Sequence, residues 1–201
     1  MMYSKSFVTI AQILDSAQQL FVNKSYDDIT MTEIARQADV TKGAIYHHFT
    51  SKEALFLCMM ERYLEKLQQR LQPSVDQLGT ARERLAFLTA LYFDMPFEEQ
   101  RVVQLVRRES NRFRGETRNK LVAAYQQALP DQIEAIMTDG IATGEIMMGD
   151  PRLLTWQFIA IVETSLTSYA RQQFADGCAM AIYLTNMFLD GAGSHSEHPA
   201  M

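Results

Sequence analysis

The chain has 201 residues, 47% of them hydrophobic and 21% charged, and carries a net charge of -5. That balance predicts a packed core through most of the chain, with disorder only at the ends, and leaves room for one sizeable domain or a small domain fused to a larger one. It also excludes nucleic-acid binding by overall charge, because phosphate contacts are electrostatic and only a local gathering of cations could supply them here.

The N-terminus, MMYSKSFVTIAQILDSAQQL, has one lysine and then an apolar stretch interrupted by Gln12 and Asp15, so it lacks the core of a signal peptide. No stretch reaches the roughly eighteen uninterrupted apolar residues of a membrane span. Cys58 and Cys178 stand far apart without metal or redox spacing, which fits reduced thiols. The expectation is a cytoplasmic chain with no cofactor, no metal and no membrane partner.

Ile10, Ile13, Leu14, Ala17, Leu20 and Phe21 recur at three- and four-residue steps, which predicts one amphipathic helix to about Lys24. Thr30 followed by Glu33 is a capping-box signature and opens a short helix over about 31–38. Asp39 and Val40 break the pattern, and Thr41 can cap a third short helix over about 42–48. Thr50 or Ser51, with Glu53, opens a long fourth helix that Pro73 is expected to stop.

Beyond Pro73 the period stays helical through ARERLAFLTALYF, EEQRVVQLVRRESNRF and a run from Thr117 to Thr143, with breaks at Met95-Pro96 and near Gly115. Pro130 inside the last run predicts a kink or a junction of two helices. GEIMMGDP reads as a loop ending in Asp150 as N-cap and Pro151 at the first helical position. RLLTWQFIAIVETSLTSYARQQ follows as one helix and about 176–190 as another. Both carry apolar residues on more than one face: Leu154, Trp156, Phe158, Ile159, Ile161 and Val162 in the first; Met180, Ile182, Tyr183, Leu184, Met187 and Phe188 in the second. Such helices must bury two sides, and a partner subunit is the simplest second surface. GAGSHSEHPAM, with His195 and His198, is polar and breaker-rich and reads as a frayed tail over 191–201.

The short second and third helices have the composition of a helix-turn-helix. Ile34, Ala35, Ala38, Val40 and Ile45 occupy the places that close the small core, and Asp39 stands at the turn, where a residue tolerant of positive φ is needed. Thr41, Lys42, Gly43 and Ala44 give the third helix a low-profile start that can approach base edges, with Lys42 able to reach a guanine. Between Val40 and Ser51 there is no acidic residue, while Lys42, His47, His48 and then Lys52 are present, so the local charge reverses the global sign. Adjacent histidines lie about 100° apart on a helix and lack the i, i+4 spacing of a metal pair, which leaves no support for a catalytic or metal role.

Residues of about 8–55 resemble the DNA-binding domain of the TetR-type transcriptional repressor family, carried by Leu20 and Phe21, SYDDITMTEIARQADV, TKGAIYHHF and SKEAL. Ser25 and Asp39 depart from the glycines common in that family. The resemblance implies an all-α fold of about nine helices. An N-terminal three-helix helix-turn-helix domain over 1–52 would be joined by a long helix to a ligand-binding and dimerisation domain over 53–190. It implies a homodimer on double-stranded operator DNA, released by a small-molecule effector. Tyr46 and His47 would project to the DNA beside Thr41, Lys42, Gly43, Ala44 and His48; Lys52 would meet a phosphate, and the helix start around Thr32 another, as exposed amides at a helix start favour anions. Phe87, Tyr92, Phe113, Tyr125, Met137 and Trp156 are the expected pocket residues, because aromatics and methionines on the middle helices could line an apolar cavity. Phe158, Val162, Tyr183 and Met187 are expected at the dimer interface. Glu163, a lone acid in an apolar helix, faces a pocket, a partner or solvent.

Overall fold

The structure is a computed structural model in which residues 2–191 are described, residues 2–6 as backbone alone. His195, His198 and nearly all of the expected tail lie outside the described residues. Short-range capping starts most of the helices. Thr30, Thr41, Thr80, Asp150, Thr167 and Asp176 each accept a hydrogen bond from an amide in the first turn that follows, satisfying a donor that has no intrahelical partner. Ser51, rather than Thr50, does the same for the fourth helix, accepting from the Ala54 amide at 3.0 Å.

The first four helices are α1 (Met2–Asn23), α2 (Met31–Gln37), α3 (Lys42–His48) and α4 (Lys52–Asp76). Only half of the expected capping box forms at α2. Thr30 accepts from the Glu33 amide, but the Glu33 carboxylate turns to the Lys24 ammonium 2.5 Å away, which lowers its pKa from the usual carboxylate value. A complete box forms instead at Thr80 and Glu83. Pro73 does not stop α4, which runs three residues further. Pro73 and Gln69 are both exposed, so the bond that Pro73 cannot donate to Gln69 is lost on the solvent side of the helix. The last carbonyls of the helix, on Ser74 and Val75, accept from the buried Arg84 guanidinium, which also pairs with Asp139 at 2.8 Å.

There follow α5 (Ala81–Phe93), α6 (Phe97–Glu109), a 3-10 turn (Ser110–Arg112), α7 (Gly115–Ala128), α8 (Pro130–Ala142), α9 (Pro151–Thr164), α10 (Ser168–Gln172) and α11 (Gly177–Asp190). The described residues thus hold eleven α-helices where about nine were expected. One extra comes from Pro130, which begins a new helix after Leu129 leaves the helical region. The other comes from the end of α9, where Ser165 and Leu166 bond three residues back and Thr167 caps α10.

Two compact units result, Met1–Gln69 with Pro96–Ala128 and Arg70–Met95 with Leu129–Met201, and α4 runs from one into the other. In the first, α1 packs on α2 and α6, and α2 on α3, around Ile13, Phe21, Ile34, Ile45 and Phe56, all essentially inaccessible. In the second, α11 lies along α5, α8 along α9, and α5 against α8. The α5–α8 approach needs Gly140, where an added Cβ would stand 2.7 Å from the Ala81 Cβ and from Ile146. No described helix is long and apolar enough to cross a membrane.

The turn between α2 and α3 places Asp39 at φ 52°, a left-handed conformation that Asp visits more readily than most residues. Asp39→Ala is expected to lower stability by about 1 kcal/mol, whereas Asp39→Gly, free of the Cβ conflict but looser when unfolded, should stay within about 0.5 kcal/mol of the parent. Urea midpoints of the three proteins check this.

Candidate nucleic-acid interface and apolar cavity

The helix-turn-helix is built from inside outward. Ile34, Ala35, Ala38 and Ile45 are buried, and the Val40 amide donates to the Ala35 carbonyl at 3.0 Å, turning the chain tightly between the two helices. With that face used, α3 exposes Thr41, Lys42, Gly43, Tyr46 and His47, while Ala44 and His48 are half-buried and Thr32 is exposed in the first turn of α2. A Cβ added at Gly43 would meet only the Thr41 hydroxyl, at 3.9 Å, so nothing inside the chain requires glycine there. Tyr46 lies under the Lys42 ammonium, 5.9 Å from ring centroid to nitrogen. The His47 and His48 rings meet edge to face, their centroids 5.0 Å apart. Among the described residues no group of three or more His, Cys, Asp or Glu is arranged to hold a metal ion.

Lys52 is placed differently from the eight others. Its ammonium donates to the carbonyls of Tyr26 and Ile29, both at 2.7 Å, and stands 4.2 Å from the centre of the Tyr26 ring. It is therefore engaged with the α1–α2 loop. Tyr26 in turn sits among Phe21, Phe56 and Phe113, with ring centroids 5.2–5.6 Å from its own. Burial, with the charges of Glu53 and Asp27, pushes its phenol up to about 12, so the hydroxyl stays protonated at working pH. These partners lie 23 and more residues from Lys52 in sequence, and no local pattern announces them.

In the second unit Leu88, Thr89, Tyr92, Leu129, Ile133, Phe158, Ile159, Val162 and Glu163 line a cavity of about 20 Å³, space for roughly one water molecule. Tyr92 alone of the six expected pocket residues is on it. Phe113 is buried in the aromatic cluster of the other unit, as the ring contacts with Tyr26 and Phe56 require. Tyr125 is buried on α7 of that unit and Met137 within α8, while Phe87 and Trp156 are exposed at 39% and 37%. Trp156 stacks under the Arg152 guanidinium, 5.5 Å away. The cavity takes two residues expected at a dimer interface, Phe158 and Val162, because the buried stripe of α9 runs through Thr155, Phe158, Ile159 and Val162. Tyr183 is 53% exposed and Met187 is half-buried. Leu88, Thr89, Leu129, Ile133 and Ile159 line the cavity as well, their sequence pattern being indistinguishable from plain core. Cys58 is half-buried and Cys178 exposed; burial pushes the Cys58 thiol up, away from reactivity.

Residues 13–59 match the family model described as bacterial regulatory proteins, tetR family. The chain is 27% identical over 162 residues to the "Fatty acid metabolism regulator protein" of Bacillus subtilis (strain 168), covering 79% of this chain and 81% of the relative. Its fold matches that of a crystallised transcriptional regulator, FadR of Bacillus subtilis in complex with stearoyl-CoA, with TM-score 0.75 and 23% identity over 91% of this chain and 99% of the other. It also matches AibR in complex with isovaleryl coenzyme A and operator DNA, with TM-score 0.75 and 21% identity over 90% and 98%.

Salt dependence separates Lys42 from Lys52. If Lys42 reaches phosphate or base edges from its exposed position, Lys42→Ala should reduce the slope of log affinity against log salt by about 1. Lys52→Met should weaken DNA binding and lower the melting temperature while leaving that slope unchanged, since its ammonium is committed to Tyr26 and Ile29. Equilibrium titrations at four or five salt concentrations give both slopes.

Proposed function

We propose that this chain is a transcriptional regulator of the tetR type rather than an enzyme: a cytoplasmic repressor that binds a palindromic operator as a homodimer and leaves it when an acyl-CoA thioester binds. The observation that carries this reading is that one chain holds both an acid-free, exposed recognition helix and a separate cavity walled almost wholly by aliphatic and aromatic side chains. In this reading residues 1–52 read DNA, and residues 53–190 hold the effector and the second subunit.

On the DNA side, α3 enters a major groove with Thr41, Lys42, Gly43 and Ala44 against base edges and Tyr46, His47 and His48 alongside. Two such helices related by a two-fold axis would meet successive grooves about 34 Å apart. The second copy has apolar surface to cover: Leu153 and Trp156 on α9, and Ile182 and Tyr183 on α11, all turn outward.

On the effector side, the lining of Leu88, Leu129, Ile133, Phe158, Ile159 and Val162 suits an acyl chain. The similar proteins support the thioester: one is named for fatty acid metabolism, and two of similar fold were crystallised with acyl-CoA. A drug-sized ligand needs a site of about 300–1,000 Å³. The present cavity must therefore widen, and the effector selects the conformer in which α5, α8 and α9 stand further apart. Operator affinity then falls by the effector's differential affinity for the two conformers and by no more than that.

Selection of bound DNA from a random pool tests the first half. A palindrome with half-sites one helical turn apart is expected, and sequence-independent binding or none would sink the repressor reading. Titration of the protein–operator complex with acyl-CoAs of graded chain length, against free coenzyme A, tests the second. Release by the thioester and not by coenzyme A is expected; release by neither removes the acyl-CoA assignment while leaving the DNA result standing.

A further inference from the structure

The end of α1 is held by arginines from α6 and the turn after it. Arg101 donates to the Val22 carbonyl at 2.9 Å and to the Asn23 side chain at 3.1 Å. Arg108 donates to the carbonyls of Phe21 at 2.9 Å and Lys24 at 3.2 Å, and Arg112 pairs with the Asp27 carboxylate. The last carbonyls of a helix have no amide of their own to accept from, and the negative end of the macrodipole favours cations there. What orients two of these arginines is one carboxylate. Glu109 is 2% exposed, and its two oxygens accept from Arg108 Nε at 2.7 Å and Arg112 Nε at 3.0 Å.

We propose that Glu109, by holding Arg108 and Arg112 against Phe21, Lys24 and Asp27, is the positioning residue that makes α2 and α3 follow α6, and so passes the effector state to the operator. This inference rests on the effector-released reading above. Residues 24–30 connect the held end of α1 directly to α2, and Lys52 secures the same segment at Tyr26 and Ile29. At the other end, α6 is joined to α5 by Asp94, Met95 and Pro96 alone, and α5 carries Leu88, Thr89 and Tyr92 of the cavity wall. A displacement of α5 by an effector thus enters α6 through a three-residue connection and leaves it through the arginines.

The test is Glu109→Gln, whose amide keeps the shape but offers one acceptor oxygen in place of two and directs an NH₂ at a guanidinium. Operator affinity is measured by fluorescence anisotropy with and without a saturating acyl-CoA, and acyl-CoA affinity by calorimetry. In the parent the effector should weaken operator binding by about 5–150-fold. In E109Q that ratio should shrink by roughly two- to thirty-fold, while acyl-CoA affinity stays unchanged. A lowered melting temperature with an unchanged ratio makes the network purely structural and overturns the proposal. If E109Q does not fold, Arg112→Ala, which removes the arm to Asp27 and Glu109 together with the cation 5.7 Å from the centre of the Tyr26 ring, is measured the same way; a smaller ratio supports the proposal and an unchanged one overturns it. A parent protein that no acyl-CoA releases removes the underlying reading and this inference with it, whereas a responsive parent with an equally responsive variant removes this inference alone.

Discussion

The Lys52 ammonium, seated on two carbonyls and the face of Tyr26, is the interaction on which the arrangement of the helix-turn-helix depends. A half-buried lysine is costly unless its donors are satisfied, and here two are satisfied at 2.7 Å by Tyr26 and Ile29. Hydrogen bonds from a charged donor contribute about 1.5–3 kcal/mol each, and the aromatic face adds to that. The loop between α1 and α2 is thereby closed against the first turn of α4. Its direction sets the entry of α2, and the buried contacts of Ile34, Ala35, Ala38 and Ile45 then set α3.

Around this point charge is distributed with a consistent logic. The chain is acidic overall, yet three acids around the helix-turn-helix are paired, Glu33 with Lys24, Asp27 with Arg112, and Glu109 with Arg108 and Arg112, while Asp28 and Asp39 stay exposed. Lys42, His47 and the open start of α3 stay exposed. An anionic protein can then present a locally cationic face, because charges in contact cancel before their field extends over a screening length of about 8–10 Å.

The second unit depends on close approach. Gly140 lets α5 and α8 come together, Arg84 ties α8 to the end of α4 through Asp139, and Glu145 accepts from the Ala81 amide at 2.6 Å. With these contacts made, the apolar space between α5, α8 and α9 is small. A ligand that entered by widening such a space would couple its binding to conformation, which is the physical requirement for an effector to act at a distance.

Much of the fold was legible because its causes are local. Thr41 and Asp150 caps, the Pro151 helix start and the period of α1 act within four residues, and each formed where the pattern put it. The expected Pro73 stop failed because its cost depends on which face the proline occupies and on whether another element caps the end, here Arg84. The expected pocket residues differ from the lining of the cavity for a related reason: Phe158 and Val162 could face a partner or a cavity with equal sense until α5 and α8 were in place to choose the buried stripe of α9, and Phe113 was claimed by Tyr26 and Phe56, which stand 87 and 57 positions earlier in the chain. By itself, then, the sequence determined the helices, their caps and the composition of the third helix, since those follow from side chains acting on neighbouring backbone. Tertiary structure alone decided which side of each broadly apolar helix is inside, and that Lys52 and Glu109 serve the folded unit from within, since burial and pairing are properties of residues brought together from far apart.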